Sequence, residues 1–285
     1  MRERYRKWLG KHTDSMRGKC VVITGANSGI GFAAAEEFLS IGARVILACR
    51  NAARAEAAKA KLLARYPLSS VETMEVDLAS NASIDGFAAS LAARGEGIDV
   101  FLHCAGVYYP RESRTSDGLP MTVGVNYYGT VRLSEAVEGL LGDTGKMIFV
   151  TSLVDRFGRP DRTPEKEGYA SYAKSKALLS AYVLRRADTR LVGMPAFIAV
   201  HPGICATSLL SPEKTSHKPL FSRVGHAFLY CFTHSPEKAA LTALRAAAGD
   251  GENGDVIAPR GLFGISGYPR KTRYCRRVRK RVSRA

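Results

Sequence analysis

Cys20-Val21-Val22-Ile23-Thr24-Gly25-Ala26-Asn27-Ser28-Gly29-Ile30-Gly31 carries the reading that decides the fold. A β-branched run ends at Thr24, three glycines crowd the next seven residues, and an Ala-rich stretch of helical period follows without a break. Each glycine has its own reason to be there. A side chain at Gly25 would hinder the tight turn, one at Gly29 would hold the backbone away from a pyrophosphate, and one at Gly31 would push the helix off the strand. The helix start then offers unpaired N–H groups and a positive dipole end to phosphate. Asn27, Ser28 and Ile30 complete the expected cradle.

Outward from this turn the same alternation repeats. Strands are expected at 20–24, 44–48, 71–76, 100–102, 147–151, 197–200 and 255–257. Helices are expected near 30–41, 51–65, 80–94, 118–141, 168–187 and 236–248, with Asn51 and Ser235 as capping residues. Strands apolar on both faces need helices on both sides, which gives an α/β doubly wound parallel sheet as a single domain. Its ligand crevice lies at the carboxyl ends of the strands. Residues 19–260 form this domain, with a basic N-terminal extension at 1–18 and a basic C-terminal tail at 261–285.

The chain has 285 residues and a formal net charge of +16, of which the two ends supply most: residues 270–285 alone hold nine Lys/Arg and no acid. A nearly neutral body argues against nucleic acid as the main partner. The ends are expected either to be solvated or to touch an anionic membrane surface. Six dispersed cysteines, without a Cys-x-x-Cys pair or a Cys/His cluster, point to a reducing compartment and no metal site. No stretch of eighteen apolar residues occurs, so the expectation is a cytoplasmic protein or one peripheral on an intracellular membrane, neither secreted nor membrane-spanning. The segment 220–232, broken by Arg223 and His226, reads as an amphipathic helix or substrate lid.

Two further positions bear on the ligand. The second strand ends at Arg50, where an acid would bind ribose hydroxyls; a guanidinium there can pair with a 2′-phosphate, or stand exposed and unemployed. Asp77-Leu78, ending the third strand, can meet an adenine edge or simply cap a helix. Tyr172 and Lys176 stand four apart on one helical face, so an ammonium is expected to lower the phenol and make it a usable acid/base.

Taken together, these motifs resemble the classical short-chain dehydrogenase/reductase family over about residues 17–260, on a Rossmann fold. Thr24–Gly31 matches its Thr-Gly-x-x-x-Gly-x-Gly pattern, and Tyr172–Lys176 its Tyr-x-x-x-Lys. Ser152 matches its serine and Asn126 its asparagine. Pro202, Gly203 and Ile204, with Thr207, resemble the segment that closes over a nicotinamide, and Ala105-Gly106 the residues lining the cofactor. The resemblance implies hydride exchange between NADP(H), with NAD(H) the less favoured choice, and a carbonyl or alcohol carbon. Tyr172 would move the proton, Ser152 hold the substrate oxygen, Lys176 grip the ribose, and Asn126 kink its helix and hold a water. Leu47-Ala48-Cys49-Arg50 and Ser235–Ala240 resemble the retinol-dehydrogenase-like and carbonyl-reductase branch, which implies an apolar aldehyde, ketone, retinoid or sterol. Tyr108, Tyr109, Leu153, Phe157 and the 209–232 segment would form the wall, and two copies would pair through the helices near 118–141 and 168–187. The chain departs from the family in having His103-Cys104 where two asparagines are usual, which puts local stability in question. The competing reading is a regulatory protein, associated with membrane or RNA, that binds the cofactor with vestigial catalysis. An epimerase or dehydratase on the same fold is a third.

Overall fold

The computed structural model describes residues 2–109, 111–158, 168–205, 235–261 and 264–272, with side chains from Lys7 onward. Seven parallel strands form the sheet: β1 (Cys20–Thr24), β2 (Arg44–Cys49), β3 (Val71–Glu75), β4 (Val100–His103), β5 (Lys146–Val150), β6 (Ala196–Val200) and β7 (Val256–Pro259). Their order is β3-β2-β1-β4-β5-β6-β7, and an eighth strand, β8 (Pro269–Lys271), joins β7 antiparallel. The order reverses between β1 and β4, which opens a crevice at the carboxyl ends of these two strands.

The strands are buried on both faces because alternate residues feed two cores. Val21, Ile23, Val45 and Leu47 pack against α2 (Gly29–Ser40), α3 (Ala52–Arg65) and the helix Pro236–Ala248. Val22, Ile46, Phe101, Phe149 and Phe197 pack on the other side against α4 (Asn81–Ala92) and the helices Thr130–Val137 and Tyr169–Asp188. Each such side chain contributes roughly 1.5–3 kcal/mol of burial. Caps fix the helix starts: the side chains of Asn51, Ser80 and Ser235 accept from Arg54, Ser83 and Lys238 N–H.

Three features depart from the expectation. Residues Arg2–His12 form a helix, α1, and buried Trp8 stacks on Tyr268 at 5.6 Å. The sheet runs beyond residue 260 through β8, whose Pro-Arg-Lys sequence carries no strand pattern. The helix expected near 118–141 is a composite: α5 (Met121–Val123), a π-helical turn over Gly124–Gly129 and α6 (Thr130–Val137). The long helix Tyr169–Asp188 is α7, and Pro236–Ala248 is α8.

Candidate active site

At the crevice, Gly25 sits at φ +69°, and a Cβ there would lie 2.8 Å from the Cα of Ala105. The turn is therefore clamped between β1 and the residues after β4. Thr24 Oγ1 completes the clamp by accepting from Cys104 and Ala105 N–H at 3.0 and 3.1 Å. A Cβ on Gly31 would fall 2.5 Å from the Gly25 carbonyl, so the close packing of helix on turn needs glycine there as well. Ser28 starts α2 without a side-chain cap, which leaves the first-turn N–H groups clear of its hydroxyl. Arg50 is exposed and makes no ion pair among the described residues. Asp77 acts as a local cap, Oδ1 accepting from Ala79 N–H at 2.9 Å while its own N–H donates to Ser83 Oγ. Leu78 is buried, and its carbonyl approaches so closely that a Cβ on Gly129 would meet it at 2.1 Å.

The π-helical turn is the physical form of the expected kink at Asn126. Its wide turn carries the buried Asn126 amide to the strand end, where Oδ1 accepts from Val107 N–H at 2.8 Å. Nδ2 donates to Val107 O at 2.9 Å and to Ser175 Oγ at 3.1 Å. Ser175 in turn donates to the Tyr172 carbonyl, tying this amide to α7. Lys176, on the next residue, is buried and donates from Nζ to Val150 O at 2.8 Å. Asn126 and Lys176 flank Gly106: a Cβ there would lie 3.5 Å from Asn126 Oδ1 and 3.7 Å from Lys176 Nζ.

Tyr172 meets Ser152 through a side-chain hydrogen bond and packs edge-on against Tyr108 at 6.1 Å. The electrostatics correct one expectation. Burial pushes the Tyr172 phenol up to about 12; the Ser152 hydrogen bond pulls the other way, and Tyr169 adds to the rise. Burial also lowers Lys176 to about 8, opposed by Cys104 and Asp155. The ammonium points at Val150 O and lies 5.9 Å from the phenol ring centroid, and in the protein alone it is burial that sets the direction of the phenol's shift.

One buried group escaped the sequence reading. Asp155, in the short 3-10 helix Leu153–Phe157, accepts from Ser180 Oγ at 2.7 Å, one turn beyond Lys176 on α7. Its aspartate-serine contact spans 25 residues and leaves no local signal. His103 replaces the family's amide with a ring stacked on Phe149 at 4.5 Å and tilted against Phe101 at 4.6 Å. Neither ring nitrogen finds a hydrogen bond, and burial drives the imidazole down to about 3.

On the far wall, His201 Nδ1 accepts from Gly203 N–H, and Ile204 N–H donates to Ile265 O, so Pro202–Ile204 is braced by the segment after β7. A Cβ on Gly264 would lie 3.0 Å from His201 Nε2 and 3.7 Å from Leu153 Cδ2. Tyr108, Tyr109 and Leu153 are partly buried and Phe157 is exposed. Thr207 and the 209–232 segment lie outside the described residues. Among the described residues no helix is long and apolar enough to cross a membrane.

The chain is similar to known proteins over most of its length. Residues 19–218 match the family model for short chain dehydrogenase. The chain is 33% identical over 249 residues to retinol dehydrogenase 14 of Mus musculus, covering 80% of this chain and 73% of that protein. A crystal structure from Mycobacterium Paratuberculosis superimposes with a TM-score of 0.72 at 27% identity, over 94% of this chain and 89% of that one. A short chain dehydrogenase from Burkholderia cenocepacia J2315, solved in complex with NADP, gives 0.66 at 23% identity, over 85% of this chain and 96% of its own.

Proposed function

The chain belongs to the short chain dehydrogenase family, and on that premise we propose that this oxidoreductase exchanges hydride between NADP(H) and the carbonyl or alcohol carbon of an apolar substrate. The observation that carries the reading is the joined set Ser152–Tyr172 and Asn126–Ser175, with Lys176 one turn along the same helix and Gly106 open between Asn126 and Lys176. The cradle fits a dinucleotide in its own right: Gly25 and Gly31 cannot accept a side chain, and the α2 start is free of a side-chain cap. Gly29, Asn27, Ser28 and Ile30 would face the pyrophosphate, Arg50 the 2′-phosphate, Asp77 and Leu78 the adenine side, and Ala105, Gly106 and Pro202–Ile204 the nicotinamide side.

When bound, the cofactor supplies or accepts the hydride. The protein's part is positioning and proton transfer. In reduction, Ser152 donates a hydrogen bond to the substrate oxygen, and Tyr172 passes its phenolic proton to the same oxygen as the carbon gains hydride. Lys176 would then stabilise the phenolate through its ammonium. A phenol at about 12 stays protonated across the neutral range, which suits reduction; alcohol oxidation needs the deprotonated phenol and gains as pH rises. Asn126 positions Ser175 and the backbone beside Lys176.

The apolar substrate class is supported by the aromatic wall of Tyr108, Tyr109 and Phe157 and by the name of the mouse relative. Paired helices α6 and α7 are proposed as a homodimer contact, and the basic ends as a contact with anionic membrane. The test is a panel of apolar aldehydes, including retinal, run with NADPH and with NADH. Turnover faster with NADPH and lost in Tyr172→Phe supports the reading, and absence of turnover with either cofactor defeats it.

A further inference from the structure

We propose that the recess where α1 meets β8 is a second binding site, selective for a phosphate-bearing ligand and separate from the glycine turn. Trp8, His12, Arg245, Arg260, Tyr268 and Arg270 line a concavity of about 460 Å³, within the size range of small-ligand pockets. Trp8 and Tyr268 stack to form one wall, and His12 packs on Trp8 at 5.0 Å. Arg245 spends its guanidinium on Asp250 and on the Pro269 carbonyl. Arg260 and Arg270 are exposed, and among the described residues they have no ion pair and no carboxylate lines the recess. Two guanidiniums without an ion pair among the described residues, beside a stacked aromatic wall, offer the paired N–H donors that a phosphate accepts.

The field at His12 points the same way. Its pKa is lowered by burial first, then by Arg245 and Lys11, and Asp250 opposes them only in last place. Lys238, 5.8 Å from the Tyr268 ring centroid, adds a further cation. Burial first and the neighbouring cations second disfavour the protonated imidazole, and an anion entering the recess favours it, so binding tightens as pH falls.

Trp8 is the only tryptophan, so its fluorescence reports on this recess in the full-length protein. The probes are inorganic pyrophosphate, glycerol phosphate, and phosphatidylcholine vesicles with and without phosphatidic acid, each followed by fluorescence and by calorimetry. A saturable response to the soluble esters identifies a free phosphate ligand; a response confined to vesicles containing phosphatidic acid identifies a lipid headgroup. Either supports the site, provided that the double variant R260Q/R270Q weakens it at least tenfold and His12→Asn removes the tightening between pH 7.5 and 5.5. Flat titrations by both methods, or a double variant that binds like the unmodified chain, overturn the proposal. The result is independent of whether NADPH is turned over.

Discussion

The two sides of the crevice are built on opposite principles. On the β4–β5 side every polar group of the candidate site is held by the protein: Asn126 makes three hydrogen bonds, Ser152 meets the phenol, and Lys176 is bonded to Val150 O. On the β1–β2 side the groups are left over from the protein's own bonding, with Ser28 uncapped and Arg50 exposed. Groups that handle a proton must be fixed before the substrate arrives, because a displacement of about 1 Å can cost about a hundredfold in rate. Groups that grip a ligand must keep their hydrogen-bonding capacity for it.

The largest effect that would break this contrast is expected at Lys176. Lys176→Met should lower kcat/KM by about a thousandfold without lowering Tm, because a buried ammonium brought down from 10.5 to about 8 costs the fold about 3 kcal/mol at neutral pH. A fall in Tm matching the loss of activity would show that the lysine is structural. Asn126→Ala should come next. It strands the N–H and C=O of Val107 and removes one donor to Ser175 Oγ, which keeps its bond to the Tyr172 carbonyl, and chemical denaturation should register about 3 kcal/mol lost.

His103 is the exception on the ordered side, and its sign can be worked out. Its pKa is about 3 when folded and 6.5 when unfolded, so below pH 6.5 the unfolded chain binds the extra proton and stability falls. Between pH 6.5 and 4 that loss should reach about 3 kcal/mol, and a Tm series in His103→Asn should lack it. An equal acid slope in both proteins would mean that the imidazole is solvated. The smallest effect belongs to the open side: Arg50→Ala should raise KM for NADPH about tenfold, or about 1.4 kcal/mol, and leave KM for NADH unchanged. Equal shifts for the two cofactors would remove Arg50 from the 2′-phosphate.

This contrast also explains what was legible in the chain beforehand. The glycine turn and the Tyr172–Lys176 pair are local, and their spacing alone fixes their geometry. The seven parallel strands follow from β-branched runs that tertiary packing reinforces. Asp155 with Ser180, and Asn126 with Val107, join residues distant in sequence, so residue types were readable but contacts were not. The shift of the Tyr172 phenol was misjudged because helical spacing gives the distance to Lys176 and says nothing about desolvation. β8 and α1 escaped because each is polar and is held by contacts distant in sequence: the ladder to β7 and the ion pairs of Lys271 for β8, and Trp8 on Tyr268 for α1.

That contact reaches further than its size implies. Trp8 touches Tyr268, Tyr268 closes a short hairpin through its carbonyl to Arg260 N–H, and the same hairpin presses Gly264 against His201 and Leu153. Helix α1 is thus mechanically linked to the proposed substrate mouth. An affinity tag or truncation ahead of Trp8 would act as a perturbation of the enzyme, and kinetic constants from such preparations should be compared only between identical termini.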